Sequence, residues 1–445
     1  MSFQFEIRQW WDGLTQKLFN ELKSGEVLGL SLHAEDTEFV RFNACLVRQN
    51  TNVKQIAVDF QLQTKNSNLS YGCGLTGHLE SDFATALSFL NEMRFDLAAL
   101  PSDPLFVPLV NNGKSHKVYK GETVPSEKIV TFLEQNQKEM DLAGIFCQGP
   151  VIKANRNSLH QDHWFETESF YFDYSLFDKD RAVKGNYSGQ IWHEEKFETQ
   201  ITQSKNFLSL MKKEKKSLAP GPYKVYLAPA ATAELFSIMG WDGMSEAAYR
   251  KGTNGLQKAA RGEVSLSSKF TLLENFSLGL TQSFNSLGEV SADVIPVFEK
   301  GVFQQFLTST KSSIEYKTTS NFASIGEYPR SPEILPGTLD EKDVFKVLGT
   351  GIYLSNLHYL NWSDRQTGRI TGMTRYACFW VENGEIISPI QDLRFDESLL
   401  NIFGAGLLDL TSTAETFTST SSYERRDIGG CRAPGILVSP FQFTL

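Results

Sequence analysis

The sequence predicts an α+β fold, in which an N-terminal α/β domain of sheet and helices is followed by a mostly β C-terminal domain. In the first half, strand-like runs alternate with amphipathic helical segments; in the second half, short apolar runs are separated by turns. Pro220-Gly221-Pro222 is the strongest chain-breaking signal between the two halves. We therefore predict domains at residues 1–218 and 219–445, and the loop-rich segment 101–125 is a candidate for a further subdivision.

The elements of the first domain follow from hydrophobic periodicity. Apolar side chains recur at helical spacing from Trp10 to Leu22, and Ser24-Gly25 ends that helix. Side chains alternate over 55–62, as expected of a half-buried strand. The predicted order after the first helix is strands at 27–33, 38–47 and 55–62, a turn at 66–68, a helix at 81–94, loops over 101–125, a helix at 126–140, strands at 144–153, 164–176 and 181–192, and a helix at 194–216.

The second domain is predicted to open with a strand at 223–227 and a short helix at 230–239. From residue 264 onward strands separated by turns dominate, and examples are 301–307 and 377–381. Asn383-Gly384, which follows the second example, is a pair preferred in two-residue hairpin turns. The second domain is therefore expected to be mostly β.

Composition and charge exclude several classes of protein. The chain has 445 residues, of which 41% are hydrophobic and 21% charged, so it is not a disordered or fibrous chain. Its net charge of −9 argues against a general attraction to nucleic acid or anionic lipid, and we expect no nucleic-acid partner. No apolar run approaches the roughly 18 residues that a membrane span needs, so we expect no membrane association.

The location is expected to be cytoplasmic. The first six residues contain no basic segment followed by an apolar run, and we therefore expect no secretory signal. The five cysteines are far apart, odd in number and without a C-x-x-C pair, so neither a disulfide framework nor a cysteine-based zinc site is predicted.

Two groups of histidines resemble metal sites. His160 and His163 flank Asp162, which would suit a self-sufficient metal hydrolase, but a polar loop tip is the interpretation we favour. The stretch 193–198 begins like H-E-x-x-H, yet Phe197 occupies the position of the second histidine. Acidic residues in a first helical turn are expected from the helix dipole alone, so this second group is interpreted as a helix start.

Motifs for nucleophilic catalysis are missing from the sequence. It contains neither a G-x-S-x-G elbow nor a G-x-x-x-x-G-K-[ST] phosphate loop. Cys431 stands beside Arg432, which would make the thiol reactive if the arginine lowered its pKa. The alternative that we favour is a small buried residue near the chain end.

Several short stretches, taken in order, resemble one known family. They lie at 38–43, 47–49, 220–229, 250–254, 299–302, 367–369, 379–386, 430–431 and 434–438. Their order and spacing extend over nearly the whole chain, and on this basis the sequence resembles the TldD/PmbA family, also called modulators of DNA gyrase. The TldD kind of member carries H-E-x-x-x-H and is a zinc peptidase, whereas the PmbA kind, also called TldE, lacks that motif and pairs with it.

The resemblance implies that this chain is of the PmbA/TldE kind. Counting back without gaps from Arg250-Lys251-Gly252-Thr253-Asn254 places Ser237 and Asp242 at the two histidine positions and Ile238 at the glutamate position. A serine hydroxyl is a poor zinc ligand, and isoleucine is not a general base. We therefore expect no catalytic residue and no metal in this chain, and zinc in a TldD-like partner.

The resemblance also implies a function. The chain is expected to be the metal-free subunit of a cytosolic TldD/TldE-type metallopeptidase complex that acts in proteolysis of unfolded peptides. Its expected partner is a TldD-like, metal-bearing subunit or a second copy of itself in a dimer. A stand-alone peptide-binding or scaffold homodimer without hydrolytic activity is the alternative.

One segment is a candidate for the surface that faces a peptide or partner. It lies between strands and is rich in polar and aromatic groups, although an ordinary solvated hairpin explains these residues at least as well. The candidates are His358, Trp362, Asp364, Arg365 and Arg369.

Overall fold

The computed structural model describes residues 2–65 and 67–444 and confirms the α+β class, with a seven-stranded sheet in the first half and a thirteen-stranded sheet in the second. Within these described residues, no helix is both long and apolar enough to cross a membrane. The domain division at residue 218 stays a prediction.

The first half folds around one sheet with the strand order β3-β2-β1-β5-β6-β4. The long sixth strand carries two neighbours on the same edge, β4 in parallel and β7 antiparallel. The elements are α1 (Phe3–Asn20), β1 (Glu26–Asn43), β2 (Leu46–Thr64), β3 (Ser67–Leu75), α2 (Leu79–Leu97), β4 (Lys114–Tyr119), α3 (Ser126–Asn136), β5 (Asp141–Asn157), β6 (Asp162–Asp178), β7 (Arg181–Gly189) and α4 (Glu194–Met211).

The two faces of this sheet differ in chemistry. Side chains alternate along a strand, so Leu30 and Leu32 of β1 share one face and belong to the core beneath α1 and α2. His33 and Glu35 point to the other face and are also buried. That polar face lies against the second half, since the Asn155 side-chain amide donates to the Ser286 carbonyl at 2.9 Å.

The second half contains thirteen strands and six short α-helices within the described residues, together with π- or 3₁₀-helical turns at Met239–Gly243, Phe276–Leu278 and Glu341–Asp343. The α-helices and strands are β8 (Gly221–Leu227), α5 (Pro229–Ile238), α6 (Glu246–Arg250), α7 (Gln257–Ala260), β9 (Leu272–Asn275), β10 (Val294–Glu299), β11 (Val302–Phe303), α8 (Thr310–Tyr316), β12 (Pro332–Ile334), α9 (Val344–Leu348), β13 (Gly351–Leu354), β14 (Asn356–Asp364), β15 (Arg369–Arg375), β16 (Phe379–Glu382), β17 (Glu385–Pro389), β18 (Arg394–Ser398), α10 (Leu399–Ile402), β19 (Leu407–Thr418) and β20 (Gly430–Phe443).

The last strand organises the second half. β20 pairs with β8, β12, β18 and β19, and helix α5 packs against it. Because β8 and β20 are neighbours, the two ends of the second half meet at the centre of its sheet. The hairpin of β14 and β15 then extends from this sheet beside α5.

Several boundaries differ from the prediction. The strand expected at 27–33 and most of the one expected at 38–47 form one strand, β1, because its polar middle is buried against the second half; residues 46–47 already belong to β2. The loop-rich segment 101–125 contains β4, and only Val302–Phe303 of the strand expected at 301–307 is extended as β11. Of the turn expected at 66–68, Asn66 lies outside the described residues and Ser67 already begins β3.

Candidate functional site

The candidate site lies at the carboxyl end of α5. Pro229 stands in the first turn, where its missing N–H costs no hydrogen bond, and the regular helix ends at Ile238. The following π-helical turn, Met239–Gly243, is interrupted at Asp242, whose φ of 73° is left-handed. Aspartate accepts this conformation more readily than most residues. The positions that correspond to the family's metal motif therefore span a helix end and a sharp turn.

Each of the three motif positions is engaged in a structural contact. The Ser237 hydroxyl donates to the Glu234 carbonyl at 2.7 Å, within its own helix. Ile238 is 2% exposed and belongs to the core of the second half. The Asp242 carboxylate forms an ion pair with Arg365 at 3.2 Å. Zinc is not suited by a hydroxyl that is already hydrogen-bonded, by an aliphatic side chain or by a carboxylate that is ion-paired with arginine. The residues present therefore do not fit the metal that the family motif holds.

Within residues 2–65 and 67–444, no cluster of three or more His, Cys, Asp or Glu side chains has the geometry to hold a metal ion.

The β14–β15 hairpin covers the turn that follows α5. The Trp362 indole N–H donates to the Trp241 carbonyl at 2.9 Å, and the Arg365 guanidinium lies 5.5 Å from the centre of the Trp241 ring. The Trp362 ring also lies directly on Gly255, where an added Cβ atom would overlap the indole. The fold thus brings two of the hairpin candidates, Trp362 and Arg365, onto the motif position Asp242.

Two further hairpin candidates, Asp364 and Arg369, stabilise the hairpin turn and the pairing of the hairpin with β18. Asp364 accepts hydrogen bonds from the Thr367 hydroxyl at 2.6 Å and from the Gln366 N–H at 2.9 Å, and the first of these lowers the pKa of Asp364. Arg369 forms an ion pair with Asp396 at 2.8 Å. Their contact with a peptide or partner stays a prediction.

His358 lies at the other end of the same hairpin. It is partly exposed on β14, and its ring centre is 4.0 Å from that of Tyr359, which is 74% exposed. The two rings therefore form an accessible aromatic pair. Whether a peptide or partner contacts this pair also stays a prediction.

Glu234 is a site residue that the sequence analysis missed. Its carboxylate accepts hydrogen bonds from the Leu357 N–H and from the Asn356 amide, the second at 3.3 Å, and so ties α5 to the start of β14. Burial nevertheless raises the pKa of Glu234 to about 7. The available signal was its position as the single charged residue of an otherwise apolar helix.

A cavity of about 200 Å³ opens beside the start of α5, between the two halves of the chain. Tyr174 lines it from the first half, and Tyr226, Tyr353 and Glu415 line it from the second. Burial, and secondarily the neighbouring Glu341, raises the pKa of Glu415 to about 7. No local pattern predicts this cavity, because its walls come from distant parts of the chain.

Glu415 is expected to make stability depend on pH. Its pKa rises from 4.5 to about 7 in the fold, so the stabilisation it provides is full below about pH 4.5 and is lost as the pH rises through 7. Glu415→Gln should therefore raise the free energy of unfolding by about 1–2 kcal/mol near pH 8 and change it little near pH 5. This value is smaller than the pKa shift alone would give, because solvent in the open cavity screens the charge. Urea unfolding at both pH values measures this, with the exposed Glu385→Gln as control. A gain that is equal at the two pH values would contradict the prediction.

The carboxylate that a self-sufficient metal hydrolase would need, that of Asp162, is engaged in ion pairs. Asp162 is ion-paired with Arg8 at 3.0 Å and with a second arginine, from β5, at 2.9 Å. The His163 ring stacks on Phe284, with ring centres 5.5 Å apart, whereas His160 is exposed in the turn before β6. The three side chains therefore serve separate contacts.

The prediction for Cys431 is confirmed as the buried alternative. The residue is 9% exposed and lies in the core of the second half. Burial raises the pKa of its thiol to about 12, so the thiolate needed for nucleophilic or metal chemistry is disfavoured at neutral pH.

Comparison with known proteins identifies relatives of this chain. Residues 220–445 match the family model described as PmbA/TldA metallopeptidase C-terminal domain. No curated protein matches the chain.

Three solved structures share the fold over 98% of this chain. They are a putative modulator of a DNA gyrase from Thermotoga maritima (14% identity, TM-score 0.74, 100% of that chain covered), TldE from Thermococcus kodakarensis (13%, 0.77, 100%) and a putative modulator of DNA gyrase from Bacteroides thetaiotaomicron (13%, 0.75, 98%). At these identities the similarity shows the fold alone.

Proposed function

This chain belongs to the PmbA/TldD family, and on that premise we propose that it is the metal-free, TldE-like subunit of a TldD/TldE-type metallopeptidase complex. The complex acts in proteolysis of unfolded peptides in the cytoplasm, and a TldD-like partner supplies the zinc. One observation carries the proposal. Ile238, which the resemblance matches to the family's general base, is a core side chain, and Asp242, which it matches to the last motif position, is ion-paired with Arg365.

The contribution of this chain is to bind and present the substrate. Among the described strands, β3 pairs only with β2 and so leaves one edge of the N-terminal sheet open. An extended peptide can add to such an edge through backbone hydrogen bonds, which tolerate many sequences. The β14–β15 hairpin, held on α5 by Trp362 and Arg365, is the proposed contact surface for the partner.

Reconstitution with a partner tests the proposal. The purified chain mixed with a TldD-like protein should cleave an unstructured peptide, a chelator should abolish the cleavage, and neither protein should cleave alone. Arg365→Ala, which frees the hairpin from Asp242, should lower the rate of the mixture roughly tenfold, the equivalent of about 1.4 kcal/mol. Arg48→Ala, at an exposed position on β2, is the matched control and should leave the rate unchanged.

Two outcomes would contradict the proposal. Chelator-insensitive cleavage by this chain alone would make it an independent hydrolase. A stable homodimer in light scattering that neither binds nor activates a TldD-like protein would favour the scaffold alternative.

A further inference from the structure

A second cavity, of about 290 Å³, lies between the polar face of the N-terminal sheet and loops of the second half. Three cationic side chains line it: Lys153 from β5, and Arg330 and Arg425 from the second half. His33 of β1 lines it as well. His33 and Lys153 are cross-strand neighbours on β1 and β5, and the packing of the two halves brings Arg330 and Arg425 to the same cavity.

Several polar atoms of the residues that line the cavity have no hydrogen-bond partner among the described residues, and each of these residues offers at least one donor. His33 is 4% exposed, and both of its ring nitrogens lack one. The Ser324 hydroxyl and the Nη2 atom of Arg330 also lack a hydrogen-bond partner. Buried polar groups in folded proteins are nearly always hydrogen-bonded, so a set of such groups around one cavity points to a ligand with acceptor atoms.

The charges facing the cavity are unbalanced. Asp59 is the one carboxylate among its lining residues, against three cationic side chains. Glu35, on the same face of β1, already accepts hydrogen bonds from the Thr37 hydroxyl and from the Arg426 N–H.

Two further carboxylates lie nearby. Glu274 accepts the backbone N–H groups of Arg330 and Ser331 at 2.8 and 3.1 Å, and burial raises its pKa to about 7. Asp427 acts on Lys153 as a more distant charge. The pKa of Lys153 is lowered to about 8, by burial first and then by Arg425, as expected where positive charge is in excess.

We propose that this cavity binds an oxyanion, either the C-terminal carboxylate of a peptide or a phosphate. Both are flat or compact acceptors that a guanidinium can hold with two N–H groups, and Lys153 adds a point charge. His33 and Ser324 supply neutral hydrogen bonds. The proposal concerns the whole chain by itself and does not depend on a metal-bearing partner or on cleavage.

Calorimetric titration of the full chain at low salt tests the proposal. The probes are inorganic phosphate, trialanine with a free carboxylate and trialanine amide. We expect one site per chain for phosphate, for the free acid or for both, and no binding of the amide. Binding of phosphate alone identifies phosphate as the source of the oxyanion; binding of the free acid alone identifies the peptide terminus.

Variants connect the binding to the cavity. Lys153→Gln should weaken it roughly tenfold or more. Arg425→Gln, a partly exposed position that should leave folding intact, provides a second measurement should the first variant fail to fold. Lys128→Gln, exposed on α3, is the control and should bind like the wild type. Failure of both oxyanions to bind, or unchanged binding by Arg425→Gln, would overturn the proposal.

Discussion

Replacing Ile238 by glutamate is expected to lower the free energy of unfolding by about 3–5 kcal/mol near pH 8. The resemblance matches position 238 to the general base of the peptidase members of the family, but here the side chain is 2% exposed in the main core of the second half. A carboxylate at this point would be buried without a cation or hydrogen-bond donor arranged to meet it. Urea unfolding, with the change read from the transition midpoint, measures the loss.

The pH dependence gives this prediction a second signature. Burial would raise the pKa of the introduced carboxyl, so the variant should recover part of its stability as the pH falls towards about 5. Ile238→Met is the matched control, because it nearly conserves volume and should cost less than about 1.5 kcal/mol. A loss below about 1 kcal/mol for Ile238→Glu would show that the end of α5 can turn this position towards solvent, and it would reopen the question of metal binding.

Replacing Arg426 by alanine is expected to lower the free energy of unfolding by about 3–5 kcal/mol as well. Arg426 is 2% exposed, and its guanidinium donates to the carbonyls of Gly149 and Ser169, each at 2.9 Å. Its backbone N–H donates to Glu35 at 2.9 Å. Truncation would leave one buried and one partly buried carbonyl of the N-terminal sheet without these donors. The side chain therefore fastens the loop before β20 to the first half of the molecule.

Matched variants distinguish the hydrogen bonds of the Arg426 guanidinium to two carbonyls from a general effect of its positive charge. Arg426→Lys keeps the positive charge but not the planar fork, so it should fall between wild type and alanine. The exposed Arg48→Ala should stay within about 0.5 kcal/mol of wild type. If Arg426→Lys were as stable as the wild type, the charge alone would account for the contribution of Arg426, and the two-carbonyl geometry would not matter.

Local patterns predicted most of the elements, because periodicity of apolar side chains records which face of a helix or strand is buried. Helices α1, α2 and α4 and strands β1, β2, β5, β6 and β7 were recognised in this way, although several boundaries differ. The pattern did not reveal β3 or β4, or that β1 is continuous. In β1 the polar residues Glu35 and Thr37 are buried against the other half, which a single strand cannot indicate.

For the candidate site as well, the sequence supplied the identity of the residues and only the structure supplied their contacts. Ser237, Ile238 and Asp242 are the residues that the resemblance matches to the metal motif, and their unsuitability for zinc follows from side-chain chemistry alone. That Arg365 neutralises Asp242, and that Trp362 lies on Gly255, required the hairpin to fold back over α5 from more than a hundred residues away. The spacing of these residues in the sequence does not predict such contacts.

By itself, then, the amino-acid sequence determined the α+β class and most of the elements, and it predicted that the residues matched to the metal motif do not suit zinc. Only the tertiary structure decided which distant groups share a cavity, such as Lys153 with Arg330 and Arg425, and which charges are compensated. The physical reason is the distance along the sequence over which the responsible interactions act. Secondary structure responds to neighbours a few residues away, whereas burial, pairing and pKa depend on groups that only the packing of the two sheets brings together.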